Sequence, residues 1–206
     1  PIRGGCIMAD PGYIVNGTLT DGEAWVGIAT TTLSGSAAST TFTSTNDGQV
    51  GDWSQYMDLV VVLYVASTAA AVNDSMKTWL NGDTDTYSYS YQTMVGDARP
   101  AVEATSTTVG GRGMDTRRCA GASSTNIFTA IVMNLFDVNS GKYKSAVATM
   151  ANDIDSAVEA SYAGMATSRW KSQAPITSIQ FAMTTGALQD ASMFSLFGVL
   201  PRMVTA

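Results

Sequence analysis

The sequence predicts an all-β protein, an antiparallel β-sandwich of about eight to ten strands. Ser and Thr make up nearly a quarter of the 206 residues and Gly adds 19, so strand and turn formers outnumber helix formers. Short segments of alternating apolar and polar residues lie between Gly, Asn and Asp turns, which is the pattern of half-buried strands. The chain has no repeat of fixed period, which argues against a propeller or a solenoid.

The first 24 residues differ from the rest of the chain. Gly-bearing turns separate short apolar islands, which predicts an irregular N-terminal arm, 1–24, ahead of one sandwich domain, 25–206. An arm of this kind either docks on a neighbouring molecule or stays unattached, and the pattern leaves both open. If it docks, the residues that we expect to make the contact are Ile7, Met8, Tyr13 and Ile14.

The first long strands are predicted over 25–31 and 39–43, which are rich in β-branched and aromatic residues. The next segment, 56–67, has apolar residues at both odd and even positions, which predicts a central strand covered on both faces. A buried helix is the competing interpretation. Three consecutive valines, Val60–Val62, disfavour it because β-branched side chains lose rotamer freedom in a helix.

A hairpin is predicted between 75–80 and 86–95, because Asn81-Gly82 is a strong turn dipeptide. Tyrosines alternate along its second strand, so a period of two places three rings on one face. Such a stripe serves either as a contact for a ligand or partner, or as part of the core. The three residues are Tyr87, Tyr89 and Tyr91.

Residues 96–125 interrupt the rhythm of strands and predict a long surface loop. The segment holds five glycines, one proline and a basic cluster formed by Arg112, Arg117 and Arg118. A loop of this length is either a contact surface, with the three arginines as the contacting residues, or a solvated insertion.

Strands are predicted to resume after this loop and to continue almost to the C-terminus. Each predicted segment is either apolar and bounded by turn residues or alternates in the period of a strand. The segments are 126–138, 143–151, 159–171, 176–181 and 193–199.

The charges exclude several classes of function. The net charge is −6, from 11 basic and 17 acidic residues, which argues against nucleic acid as a partner because phosphate binding needs a basic surface. The chain has no histidine, so Ser-His-Asp and Cys-His triads are excluded and a catalytic zinc site is not expected. The sequence contains no run of 18 apolar residues, so a membrane span is not expected. The N-terminus also lacks the apolar region of a signal peptide.

Few residues form a pattern that indicates chemistry, and we expect no cofactor and no metal. Asp83 and Asp85 have a spacing that can hold a hard cation, although a turn of this composition is far more often only a turn and the EF-hand pattern is absent. Paired carboxylates in a polysaccharide-degrading enzyme stay open as an alternative, with Asp83 and Glu159 as the residues to test. Cys6 and Cys119 either pair or remain reduced thiols.

The order of motifs over about residues 56–200 resembles a group of jelly-roll structural proteins of tailed bacteriophage virions, notably of aquatic and cyanobacterial phages. The segment DLVVVLYVAS is followed by WLNGDTDTYSYSY, NIFTAIVMNLFDV and YKSAVATMAND. The chain closes on PITSIQF, a glycine turn and SMFSLFGV, where the family ends in a similar way. Two departures are Ala191 and Met193 beside the closing serine, where Gly is common, and the segment 96–125, which has no counterpart.

The resemblance implies a jelly roll, a location in the virion after synthesis in the host cytoplasm, and a role in assembly or attachment rather than catalysis. The main hypothesis is a capsid cement or decoration protein that binds the outer capsid surface. Its expected partners are the major capsid protein and copies of itself, as a dimer or trimer. The alternative hypothesis is a module of the tail or tail fibre that binds host glycans through the 96–125 loop and the tyrosine stripe.

Overall fold

The computed structural model describes residues 14–15, 18–19, 25–97, 103–107, 113–124, 126–152 and 161–200. It confirms an all-β protein in which two antiparallel sheets pack together as a β-sandwich. The strands of the described residues are β1 (Ile14–Val15), β2 (Thr18–Leu19), β3 (Trp25–Thr32), β4 (Ser39–Thr43), β5 (Asp58–Val65), β6 (Asn73–Leu80), β7 (Tyr89–Asp97), β8 (Glu103–Thr107), β9 (Met114–Ala120), β10 (Thr129–Phe136), β11 (Lys144–Asn152), β12 (Tyr162–Trp170), β13 (Ser178–Met183) and β14 (Met193–Val199).

The larger sheet has eight strands in the order β3-β14-β5-β10-β11-β12-β7-β8, and the smaller sheet has four in the order β4-β13-β6-β9. β1 and β2 pair only with each other. From β3 to β6 the chain alternates between the two sheets, and it does so again through β9, β10, β13 and β14. The two pairs β7-β8 and β11-β12 break this alternation and extend the larger sheet by four strands beyond β10, at one edge.

The core lies between the sheets and is built from every second residue of the strands that face each other. β5 supplies Leu59, Val61 and Leu63 to the core, and each of these side chains is at most 1% exposed. Phe181 of β13 and Phe194 of β14 meet across the core with ring centroids 5.5 Å apart. The alternation of the sequence therefore sets the inward face of each of these strands.

The strands predicted at both ends of the domain are confirmed. β4 and β14 have the predicted bounds, and the bounds of β3, β10, β11, β12 and β13 lie within three residues of the predicted ones. These segments are bounded by turn residues or alternate cleanly, and both signals are local to the sequence.

The predicted hairpin is wrong. β6 belongs to the smaller sheet and β7 to the larger one, so the chain crosses the sandwich after Asn81-Gly82 instead of turning back. The short 3-10 helix Thr86–Ser88 continues the crossing. The buried residues of β6 and β7 pack into the core from opposite sheets, so the two strands are not neighbours in one sheet.

The predicted tyrosine stripe divides between core and surface. Tyr87 lies in the 3-10 helix and is 69% exposed, whereas Tyr89 and Tyr91 of β7 point inward and are buried. The interpretation of a stripe as part of the core therefore holds for two of the three rings.

The prediction of one long surface loop over 96–125 is also wrong, since β7 extends to Asp97 and the segment contains β8 and β9. β8 pairs with β7 and β9 pairs with β6. The β9 sequence, MDTRRCA, has charges in the middle and lacks clean alternation, and its pairing with β6 shifts register between Asp74 and Met76. Arg118 there has a left-handed backbone with φ of 67°.

Candidate interaction surface

The outward side of the larger sheet is the most unusual surface of the molecule. The strand registers place the side chains of Val132, Val62 and Thr149 next to each other on this side, at the centre of the sheet. Met165 lies between Thr149 and Met94 on the same side. We call this side the outer face and define it by the outward residues of β3, β14, β5, β10, β11, β12 and β7.

Large apolar side chains that are exposed to solvent concentrate on the outer face. Seven of the ten such side chains in the described residues lie there, each 36% to 51% exposed. A soluble protein usually scatters exposed apolar side chains, whereas a group on one face marks an interaction site. The seven are Trp25, Tyr64, Met94, Val132, Phe136, Met165 and Met193.

Aromatic rings partly fix the two ends of this face. Tyr64 stacks on Phe128 with centroids 5.3 Å apart and planes inclined by 11°. Trp25 contacts Phe197 at a centroid distance of 6.3 Å. Rings that are held in place lose little conformational freedom when a partner covers them, which favours binding.

The outer face is nearly uncharged although the chain carries a net charge of −6. Among its described side chains only Asp58 and Arg169 are ionic. Asp58 accepts a hydrogen bond of 2.6 Å from the backbone N–H of Asp137, so this carboxylate already has a partner in the protein. Hydroxyls, amides, small residues and apolar residues make up the rest. They include Thr30 and Ser195, whose oxygens are 2.9 Å apart.

A shallow groove of about 580 Å³ crosses one end of the outer face, between β10 and β7. Phe136, Arg169 and Gln92 all line this groove, so it combines an exposed ring with hydrogen-bonding groups. Ser145 and Thr167 add two hydroxyls to its lining. An apolar surface with a few polar groups around it has the composition of a binding site.

The contact residues predicted from the sequence do not coincide with the outer face. Ile7, Met8, Tyr13 and Arg112 lie outside the described residues, and Ile14 is described only as part of β1. Arg117 and Arg118 lie on β9, which belongs to the smaller sheet.

The sequence did contain a signal for the outer face. β5 is apolar on both parities, and this was interpreted as burial on both faces. In the structure Val62 is only partly buried and Tyr64 is 48% exposed, so the prediction of a doubly covered strand is wrong over this half of β5. Apolar residues on the side of a strand that faces away from the core indicate either a covering layer or an exposed binding surface, and sequence alone does not separate the two.

The carboxylates of the proposed cation site are engaged within the protein. Asp83 accepts hydrogen bonds of 2.7 Å from the indole N–H of Trp170 and 2.9 Å from the backbone N–H of Asp85. Burial would raise the pKa of Asp83, but these bonds and one from Ser88 hold it below the usual value. Asp85 caps the 3-10 helix by accepting from Tyr87 N–H at 2.9 Å. The described residues contain no group of three potential metal ligands.

Asp74 is a buried carboxylate and is 6% exposed. Its oxygens accept from the Ser67 hydroxyl at 2.7 Å and from the N–H groups of Gly186, Ser75 and Thr185. Burial acts to raise the pKa of Asp74, but the four donors together hold it below its usual value. This set of bonds connects β6 to the turn before β14, which indicates a structural role.

Lys144 is a fully buried cation at the start of β11. Its ammonium group donates to the carbonyl oxygens of Ser140 and, at 2.8 Å, Lys142, and so closes the preceding turn. Burial lowers the pKa of Lys144, and the charge of Asp137 acts against this shift. Cys119 is buried in β9, whereas Cys6 lies outside the described residues, so their pairing stays a prediction.

No helix among the described residues is both long enough and apolar enough to cross a membrane. No known protein family, curated protein or solved structure matches the chain.

Proposed function

We propose that the protein is a non-enzymatic structural component of a bacteriophage virion, in the role of a capsid cement protein that binds the outer capsid surface and stabilises neighbouring subunits. The observation that carries this proposal is the outer face, which is broad, apolar and nearly uncharged. A surface of this composition suits contact with another protein surface.

The proposal includes a jelly-roll topology, which the order of strands supports. Without the pairs β7-β8 and β11-β12, the larger sheet reads β3-β14-β5-β10 and the smaller reads β4-β13-β6-β9. Two four-stranded sheets, between which the chain alternates in this way, form the double-sheet arrangement of a jelly roll, a fold used in viral capsids. In this interpretation the two pairs are insertions that widen one sheet.

The likeness of the closing motif to phage proteins also supports the proposal. The segment SMFSLFGV ends in β14, which lies between β3 and β5. Gly198 has a physical reason to be glycine there, since a Cβ at this position would lie 2.4 Å from the ring of Tyr56. The N-terminal arm, 1–24, is the part that we expect to contact the shell.

The experiment that tests this function is quantitative mass spectrometry of purified virions from the source of the chain. We expect the full chain in the particle at hundreds of copies, as a cement protein requires, and we expect deletion of residues 1–24 to abolish its binding to particles. Absence of the chain from virions overturns the proposal, and full occupancy by the deletion variant overturns the role of the arm.

A glycan-binding module of the tail is the second candidate function, and the groove beside Phe136 is the observation that favours it. An array of host glycans separates the two functions. Binding that is lost in Phe136→Ala, together with a copy number of a few to tens per virion, supports the glycan module. Hundreds of copies and no glycan binding support the cement protein.

A further inference from the structure

We infer that the outer face binds the outer face of a second copy of this chain, so that the protein is a dimer with its two larger sheets packed against each other. The inference names the partner of the surface described above and rests on the proposed structural role. The size, the charge and the symmetry of the face each favour a second copy as its partner.

The size of the face matches the size of a stable interface. The seven strands of the face, at about 4.8 Å spacing and about 25 Å length, give a surface of about 850 Å². A stable interface of standard size buries about 800 Å² on each partner. Aligned packing of two sheets, side chain against side chain, is an arrangement that β-proteins already use inside their domains.

The charge of the face selects a second copy as the occupant. Two molecules with a net charge of −6 repel each other, so a contact between copies requires a surface without concentrated acidic groups. The outer face meets this requirement, because Asp58 and Arg169 are its only described ionic side chains and their charges cancel. A basic or acidic partner would find no complementary charge there.

The symmetry of a two-fold contact also fits the face. In such a contact the same patch is used by both copies, and residues close to the axis meet their own counterparts. Val132 lies in the middle of β10, between Val62 and Thr149 on the two neighbouring strands, and so occupies the centre of the face. Val–Val and Val–Thr contacts suit a position close to the axis, since neither requires a residue of opposite charge on the other copy.

The test is sedimentation velocity of the full chain over about 1–100 µM, with variants chosen from the two sides of the sandwich. We expect twice 21.6 kDa for the wild type. We expect a monomer for Val132→Glu, because a charge at the centre is buried against its own counterpart, with a dissociation constant raised about a hundredfold or more. Thr41→Glu is the matched control, since Thr41 is an exposed strand residue of the smaller sheet, and it stays dimeric.

Three results overturn the inference: a monomeric wild type over the whole range, a dimer that Val132→Glu leaves intact, or a wild-type mass of three or more subunits. Circular dichroism checks that each variant folds. If Val132→Glu fails to fold, Met165→Glu takes its place, because Met165 is 38% exposed on the same face.

A second measurement needs no variant. Met94, Met165 and Met193 lie on the outer face, whereas Met57 precedes β5 and lies outside the sheet, and all four are 38% to 47% exposed in one subunit. We expect peroxide to oxidise Met57 first in concentrated protein, and to oxidise all four at similar rates after dilution to monomer. Equal rates at high concentration contradict the inference.

These outcomes separate the inference from the proposed function. A monomeric chain found in virions at hundreds of copies removes the dimer and leaves the structural role. A dimer through the outer face that is absent from virions keeps the interface and removes the virion function.

Discussion

The indole nitrogen of Trp170 donates a 2.7 Å hydrogen bond to the carboxylate of Asp83, which joins the end of β12 in the larger sheet to the turn that follows β6 in the smaller sheet. Trp170 is 2% exposed, and its ring stacks on Tyr89 at a centroid distance of 6.4 Å. This contact fixes the point where the chain crosses from one sheet to the other.

We expect Asp83→Ala to lower the free energy of unfolding by about 1–3 kcal/mol, because the buried N–H of Trp170 loses its acceptor. Urea unfolding followed by tryptophan fluorescence measures this change. Asp190→Ala is the control, since Asp190 is exposed and its carboxylate accepts a hydrogen bond from the N–H of its neighbour Ala191. Equal stabilities of the two variants would contradict the role given to Asp83.

We expect Tyr89→Phe to lower the free energy of unfolding by about 1–3 kcal/mol as well. The Tyr89 hydroxyl accepts from the N–H of Leu80 at 3.0 Å and donates to the carbonyl of Asp83 at 2.9 Å, so its removal leaves a buried N–H without a partner. Tyr87→Phe is the matched control, because Tyr87 is 69% exposed. Thermal melting of both variants measures the difference in stability, and a Tyr89→Phe variant as stable as the control would refute the prediction.

Acidification should remove the contribution of Asp74. The pKa of Asp74 is lowered in the folded protein from 3.8, so its stabilising effect is present above that value and is lost as the pH falls below it. We expect the wild type to exceed Asp74→Asn in stability at about pH 6.5 and the difference to shrink at about pH 3. Urea midpoints at both values measure it, and a difference that stays constant or grows contradicts the sign.

We expect Gly198→Ala to destabilise the protein by about 1–3 kcal/mol, because the added Cβ forces the ring of Tyr56 and the end of β14 apart. Gly27 is the matched position, since it lies on the neighbouring strand β3 and a Cβ there is 4.0 Å from its nearest neighbour, Phe197. Gly27→Ala should leave the melting temperature unchanged or raise it slightly. A tolerated alanine at 198 would show that Tyr56 moves aside freely.

The sequence by itself determined the fold class and the position of most strands. Alternation in β13, the clean bounds of β14 and the turn at Asn81-Gly82 are local properties, set by side-chain parity and backbone preference, and local properties can be read without knowing the partners. The sequence also contains no recognisable catalytic pattern.

Only the tertiary structure decided which strands pair and which apolar face meets solvent. β6 and β7 follow each other through a strong turn, yet they lie in different sheets because their buried faces pack from opposite sides of one core. β9 became a strand through its pairing with β6, although its own residues gave no such signal. Val62 and Tyr64 continue an apolar pattern, and only the arrangement of distant strands leaves them on an open surface. Pairing and exposure depend on residues far apart in the chain, and their free energies are therefore not encoded in any one segment.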